Sequence, residues 1–178
     1  MCIVSNAAQT KTTCISPRNM TTFEEIYNSY APQIFRVCLG YTNDTNQAKD
    51  LVQETFISVW KNLPAFRNQS HIGTWIFRIA TNHCLRSIEV AKRMPSAELP
   101  FNLADTFEEP SEDKLNFLYK CIAELDETDR IIISLELEGL PQAEIALVVG
   151  LNSGNIRVKV HRIKEKLAKK FKAYGQLR

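Results

Sequence analysis

Asn155, Arg157, Lys159, His161, Arg162, Lys164 and Lys166 recur in a register that sets them on the outer side of one helix, with Ile156 and Val160 on its inner side. Amide, guanidinium and ammonium donors in such a row suit phosphate oxygens and the acceptor edges of bases in a major groove. The residues just upstream supply what would aim that helix. Ile145 and Ala146 fall on the buried side of a short helix, and Ala146 is small enough for two helices to cross closely. Gly150 permits a chain reversal that is costly for a residue with a Cβ, Leu151 plugs the core, and Asn152 or Ser153 can cap the next helix. The pattern predicts a helix-turn-helix over roughly Gln142 to Lys170. A basic run alone would read as a solvated Lys-rich terminal helix; joined to this turn chemistry it reads as a DNA-binding surface. Arg157, near the helix start, is the first choice for a base-edge contact, because its planar fork can pair with guanine. Lys164, Lys166, Lys169 and Lys170 read as phosphate contacts or solubilising charge.

Charge is distributed to match. The 178-residue chain is only +2, but residues 155 to 178 hold nine Lys or Arg against one acid, so +8 sits there and the remaining 154 residues carry −6. One end faces a polyanion and the rest has other contacts to make.

The composition, 44% hydrophobic and 24% charged, is that of a soluble globular protein, and no apolar run approaches the ~20 residues that span a bilayer. Residues 1–20 are polar and small and read as a flexible tail, with neither the charged start nor the apolar centre of a secretory signal. Cys2, Cys14, Cys38, Cys84 and Cys121 are odd in number and scattered, which fits reduced thiols in the cytoplasm; Cys38 and Cys84 fall on apolar helix faces. A zinc site at His83 and Cys84 is disfavoured because adjacent helical residues diverge. No nucleophile with a paired base, phosphate loop of glycines or carboxylate pair is found, so neither catalytic residues nor a cofactor or metal is expected.

The elements that must position the basic face are helical throughout. Phe23, Ile26, Tyr27 and Tyr30 form one stripe, Pro32 is expected to restart the chain, and Ile34, Phe35, Cys38 and Leu39 continue it. Leu51, Val52, Thr55, Phe56, Val59, Trp60 and Leu63 make a long amphipathic helix with Asp44 or Thr45 as its cap. After a break at Pro64 to Ser70, a third stripe runs from Ile72 through Ile76, Ile79, Ala80, Cys84 and Ile88. Residues 94–113 carry three prolines and six acids unopposed by any Lys or Arg, and read as an acidic linker. Beyond it, Leu115, Leu118, Ile122 and Leu125 share a face, and an apolar helix from Arg130 to Leu137 leads through Gly139 and Pro141 into the helix-turn-helix. The expected architecture is all-α, with two small helical domains at 21–93 and 114–178.

Both halves resemble parts of one family. Glu138-Gly139-Leu140, Glu144-Ile145-Ala146, Gly150-Leu151, Gly154-Asn155-Ile156-Arg157 and His161-Arg162 resemble domain 4 of bacterial RNA polymerase sigma factors. The run Asp50 to Phe56 through Trp60, followed by Thr74 to Asn82, resembles sigma domain 2. Two such domains on a short linker are similar to the extracytoplasmic-function group, and the likeness covers about residues 21 to 172. It implies a protein that binds core polymerase, recognises minus-35 and minus-10 promoter elements in duplex DNA, and helps melt DNA by holding the non-template strand. It also implies an anti-sigma factor as partner, with no small-molecule substrate and no membrane insertion. By the same likeness, Asp50, Gln53, Glu54 and Trp60 are the core-polymerase contacts. Phe66, Arg67, Asn68, Gln69, Ser70 and His71 would form the pocket for an extruded minus-10 base, and Trp75 and Asn82 the wedge where strands part. Arg78 and Arg86 would track phosphates, and Asn155, Arg157, Lys159, His161 and Arg162 would read the minus-35 element. The linker would thread the channel that RNA later leaves by.

Arg86 departs from the family, which often has an acid there, and Glu89, Lys92 and Arg93 replace a dense Arg run; both shift phosphate anchoring toward the C-terminal helix. Two rivals remain. A polymerase-independent helix-turn-helix regulator would leave residues 44 to 93 without a role, and a sigma mimic that titrates an anti-sigma factor should have lost the basic face that this chain keeps.

Overall fold

A computed structural model describes residues 22–67, 70–93 and 112–176. The expected tail at 1–20, all but the last two residues of the 94–113 linker, and Asn68 and Gln69 lie outside the described residues. Among the described residues the structure is all helix: α1 (Phe23–Thr42), α2 (Thr45–Asn62), a 3₁₀ turn (Leu63–Ala65), α3 (Ile72–Arg93), α4 (Glu112–Ala123), α5 (Glu127–Leu137), α6 (Gln142–Val149) and α7 (Ser153–Gln176).

Local chemistry sets most of the boundaries. Thr22 Oγ1 accepts from the Glu25 amide at 3.3 Å to start α1, and Asn43, in the left-handed conformation at φ 53°, closes it with its amide on the Leu39 carbonyl. Asp44 Oδ1 then accepts from the Gln47 amide at 2.7 Å and starts α2. Pro64 stops α2 in the 3₁₀ turn. Pro32 does not restart the chain as its type suggests: α1 runs through it. An interior proline costs about 3 kcal/mol, and here burial of Ile26, Ile34, Val37, Cys38 and Tyr41 along one stripe offsets it while Pro32 itself faces outward.

The N-terminal group packs α1 on α2 and α3. Phe23, Tyr27, Phe56 and Trp60 meet edge-to-face or tilted at one end, and Tyr30 meets Phe77 at 6.5 Å. Cys38 and Cys84, both buried, face each other with sulfurs 3.8 Å apart; that contact, together with burial, pushes the Cys84 thiol well above its usual range. In the C-terminal group α5 lies against α4, α6 and α7. Leu115 is exposed rather than on the packed face of α4, where Ile122 is buried.

The two groups also pack on each other, which the periodicities do not foretell. Ile131, Ile132, Ile133, Ser134 and Leu135 are buried in succession, because α5 has its own group on one side and α1 on the other. A Cβ at Gly40 would lie 2.4 Å from Ser134 Oγ, so any larger residue at the α1–α5 crossing would have to displace that hydroxyl. Arg130 donates to the Tyr41 carbonyl at 3.3 Å.

Candidate nucleic-acid interface

The turn between α6 and α7 follows its sequence. Gly150 has φ 76°, and its amide and that of Leu151 both donate to the Ala146 carbonyl. Asn152 Oδ1 accepts from the Gly154 amide at 2.8 Å and caps α7. Ile156, Val160, Ile163 and Leu167 are buried at the spacing of one helical stripe, so the opposite face of α7 is turned to solvent. It carries Asn155, Arg157, His161, Arg162, Lys166 and Lys169, with Glu165 3.8 Å from His161.

Lys159 stands at the flank of this face, partly exposed. Its ammonium lies 2.6 Å from the Asp129 carboxylate on α5, and Asp129 is itself buried, so this lysine braces the helix from its flank. Lys164 does the same with Glu136 at 2.6 Å, and Lys170 pairs with Glu124. The outer face therefore holds Arg157 and Arg162 as its forked donors, and a residue that charge pattern alone passes over: Val158, 49% exposed between them. Its signal was an apolar residue in an outward register.

A second face lies on α3. Trp75, Arg78, Asn82 and Arg86 share one side of the helix; Arg78, Asn82 and Arg86 are exposed and Trp75 is half-buried. Phe66 is half-buried too, its ring 4.8 Å from that of Trp75 and tilted by 33°. The two rings form one aromatic shelf at the start of α3, with Arg67, Ser70 and His71 exposed beside it. The reverse face of α3 is closed by α6, where Thr74 Oγ1 donates to Glu144 Oε2 at 2.7 Å.

The third face is on α2, where Asp50, Gln53 and Glu54 are exposed above a packed stripe of Leu51, Val52, Thr55, Phe56 and Val59. Ile57 and Trp60, 52% and 62% exposed, continue the outer side, and the Trp60 indole meets Phe23 edge-on at 5.0 Å. Glu54 lies 3.3 Å from His83 Nδ1, whose other ring nitrogen is 2.9 Å from Ser58 Oγ. Two apolar anchors beside a polar rim have the anatomy of a protein interface. Ile57 is absent from the residues that sequence alone singles out.

Known proteins carry the same organisation. Residues 26–94 match the family description Sigma-70 region 2, and residues 117–167 match Sigma-70, region 4. The chain is 31% identical over 137 residues to the ECF RNA polymerase sigma-E factor of Escherichia coli (strain K12), covering 68% of this chain and 72% of that protein. It is 38% identical over 82 residues to the ECF RNA polymerase sigma factor SigG of Mycobacterium tuberculosis; the match takes in 46% of this chain but 21% of SigG. The sigma factor RpoE of Bartonella quintana, solved in complex with the anti-sigma factor NepR, superposes with a TM-score of 0.66 at 20% identity over 84% of this chain and 96% of that one, which shows a shared fold. The chain belongs to the extracytoplasmic-function group of the sigma-70 family of RNA polymerase sigma factors.

Proposed function

We propose that this chain is a sigma factor that recruits core RNA polymerase, recognises minus-35 and minus-10 promoter elements, and promotes strand separation at the start site. The observation that carries this reading is the presence, in one chain, of a basic outer face on the helix-turn-helix helix α7 and a separate aromatic and cationic face on α3. Asn155, Arg157, His161 and Arg162 read the minus-35 duplex, with Val158 among them. Phe66, Arg67, Ser70, His71, Trp75, Arg78, Asn82 and Arg86 take the minus-10 strand, the aromatic shelf offering a stacking surface to a base that leaves the helix. Asp50, Gln53, Glu54, Ile57 and Trp60 dock on polymerase.

The work is binding rather than covalent chemistry, it needs no cofactor, and it takes place in the cytoplasm with the polymerase. Among the described residues no helix is long and apolar enough to cross a membrane. A protein inhibitor of the anti-sigma kind is a fitting partner, since a relative of the same fold was solved with one. In vitro transcription with purified bacterial core polymerase and a promoter library tests the whole reading. Start-site selection that depends on this chain is expected, and failure on every template would overturn it.

A further inference from the structure

Glu54, Ser58 and His83 meet where α2 packs on α3. Glu54 and Ser58 stand four residues apart on α2, so one lies a turn above the other on the same side of the helix. His83 of α3 reaches both. Its Nε2 is 2.9 Å from Ser58 Oγ, and its Nδ1 is 3.3 Å from Glu54 Oε2. A neutral imidazole holds one proton, and with the Ser58 hydroxyl donating to Nε2 that proton stands on Nδ1, facing the carboxylate. A hydroxyl of α2 thus selects the ring state that suits an acid one turn away on the same helix.

The partners differ in freedom. The His83 side chain is 21% exposed, whereas that of Glu54 is 60% exposed. The ring is held by its surroundings and the carboxylate reaches into solvent, where a glutamate loses rotamer freedom whenever it docks on another surface. Nothing on α2 itself restrains it: no Lys or Arg stands three or four residues away, and Asp50, one turn before, carries the same charge. His83 supplies that restraint from the neighbouring helix. A charge contact to an acid so exposed contributes little to folding stability, so fixing the direction of the carboxylate explains the arrangement better than holding α2 on α3 does.

We propose that His83, steadied by Ser58, is a positioning residue for polymerase docking, setting the direction of the Glu54 carboxylate before the complex forms. This rests on the reading of α2 as the docking face.

Asparagine and glutamine separate the two ring contacts, since the Asn amide nitrogen falls near the place of Nδ1 and the Gln amide nitrogen near that of Nε2. Binding of the full-length chain to purified core polymerase is titrated for His83→Ala, His83→Asn and His83→Gln, each with Glu54 intact and with Glu54→Ala. With Glu54 intact, His83→Ala should weaken binding by about two- to tenfold, the gain from one side chain that need not be immobilised on docking. His83→Asn should recover most of that loss and His83→Gln should not. With Glu54→Ala in place, His83→Ala should have no further effect. Equal losses in both backgrounds, or no loss with Glu54 intact, would overturn the proposal and leave His83 as packing between two helices. A second arm needs no polymerase: Glu54→Gln should shift the Nδ1 resonance of His83 in nitrogen-15 NMR, and an unmoved resonance would overturn the contact itself. Failure of the docking reading looks different, because Glu54→Ala alone would then bind polymerase as tightly as the wild type; that result removes the positioning role together with the docking role of Glu54.

Discussion

The ammonium of Lys159 on α7 lies 2.6 Å from the carboxylate of Asp129 on α5, and the Asp129 side chain is 11% exposed. An acid so placed depends on its partner for charge compensation. Lys159→Ala should therefore leave a nearly buried carboxylate unpaired and cost about 1–3 kcal/mol of folding stability. Thermal unfolding should show the loss, while the order of preference among minus-35 sequences stays as in the wild type. A changed sequence preference with unchanged stability would return Lys159 to the DNA-reading set.

Arg157 stands three residues past Gly154, whose amide bonds the Asn152 cap at the start of α7, and is exposed to solvent. Arg157→Ala should cost about 1–3 kcal/mol at the cognate promoter and relax one base preference. Binding measured over a set of single-base variants decides the matter. Equal losses on all sequences would show that its guanidinium meets a phosphate.

Val158 lies between those donors with half its surface open. The apolar group on the floor of the major groove is the thymine methyl. Burying one methyl contributes about 0.8 kcal/mol, or roughly fourfold in affinity. Deoxyuridine in place of thymine in the minus-35 element should weaken the wild-type chain by about that factor and leave Val158→Ala indifferent. Equal sensitivity in both proteins would remove Val158 from the interface.

The elements that sequence reveals here are those governed by neighbours in the chain. Asp44, Gly150 and Asn152 act on amides and carbonyls within four residues, so their types suffice to place the caps and the turn. The outward set on α7 is legible for the same reason: the stripe of Ile156, Val160, Ile163 and Leu167 fixes the register of everything else. What escapes is set by partners far along the chain. Lys159 has the type of a DNA contact and is claimed by an acid 30 residues away. Pro32 has the type of a helix breaker and is overruled by the buried stripe around it. Arg36 donates two hydrogen bonds to Glu138 across 102 residues, and neither belongs to a motif that announces a pair. The unbroken burial from Ile131 to Leu135 likewise depends on α1, which lies far along the chain from α5.

Asn82 sits mid-helix on the exposed side of α3, in line with Trp75 and Arg78. Asparagine is a poor helix former, so Asn82→Ala should leave α3 intact or slightly firmer. If its amide holds a base out of the stack, the variant should form the closed promoter complex normally and open it more slowly. Permanganate reactivity of unpaired thymines reports opening, and a gel-shift assay at low temperature reports the closed complex. Equal loss of both would assign Asn82 to initial binding instead.

Trp60 and Ile57 on α2 are large apolar side chains left more than half exposed, with Asp50, Gln53 and Glu54 beside them. An aromatic anchor in a polymerase interface should carry about 2 kcal/mol or more, so Trp60→Ala should weaken core polymerase binding by roughly thirtyfold. Reversing the rim with Asp50→Arg and Glu54→Arg together should abolish it, since like charges would face the surface that now attracts these acids. None of the three polar rim residues packs in the core, so circular dichroism and binding of the minus-35 duplex should be unchanged in that double variant. Trp60 also touches Phe23, and the charge-reversed protein is therefore the cleaner probe of the two. Polymerase association that survives both changes would move the docking surface off this face of α2.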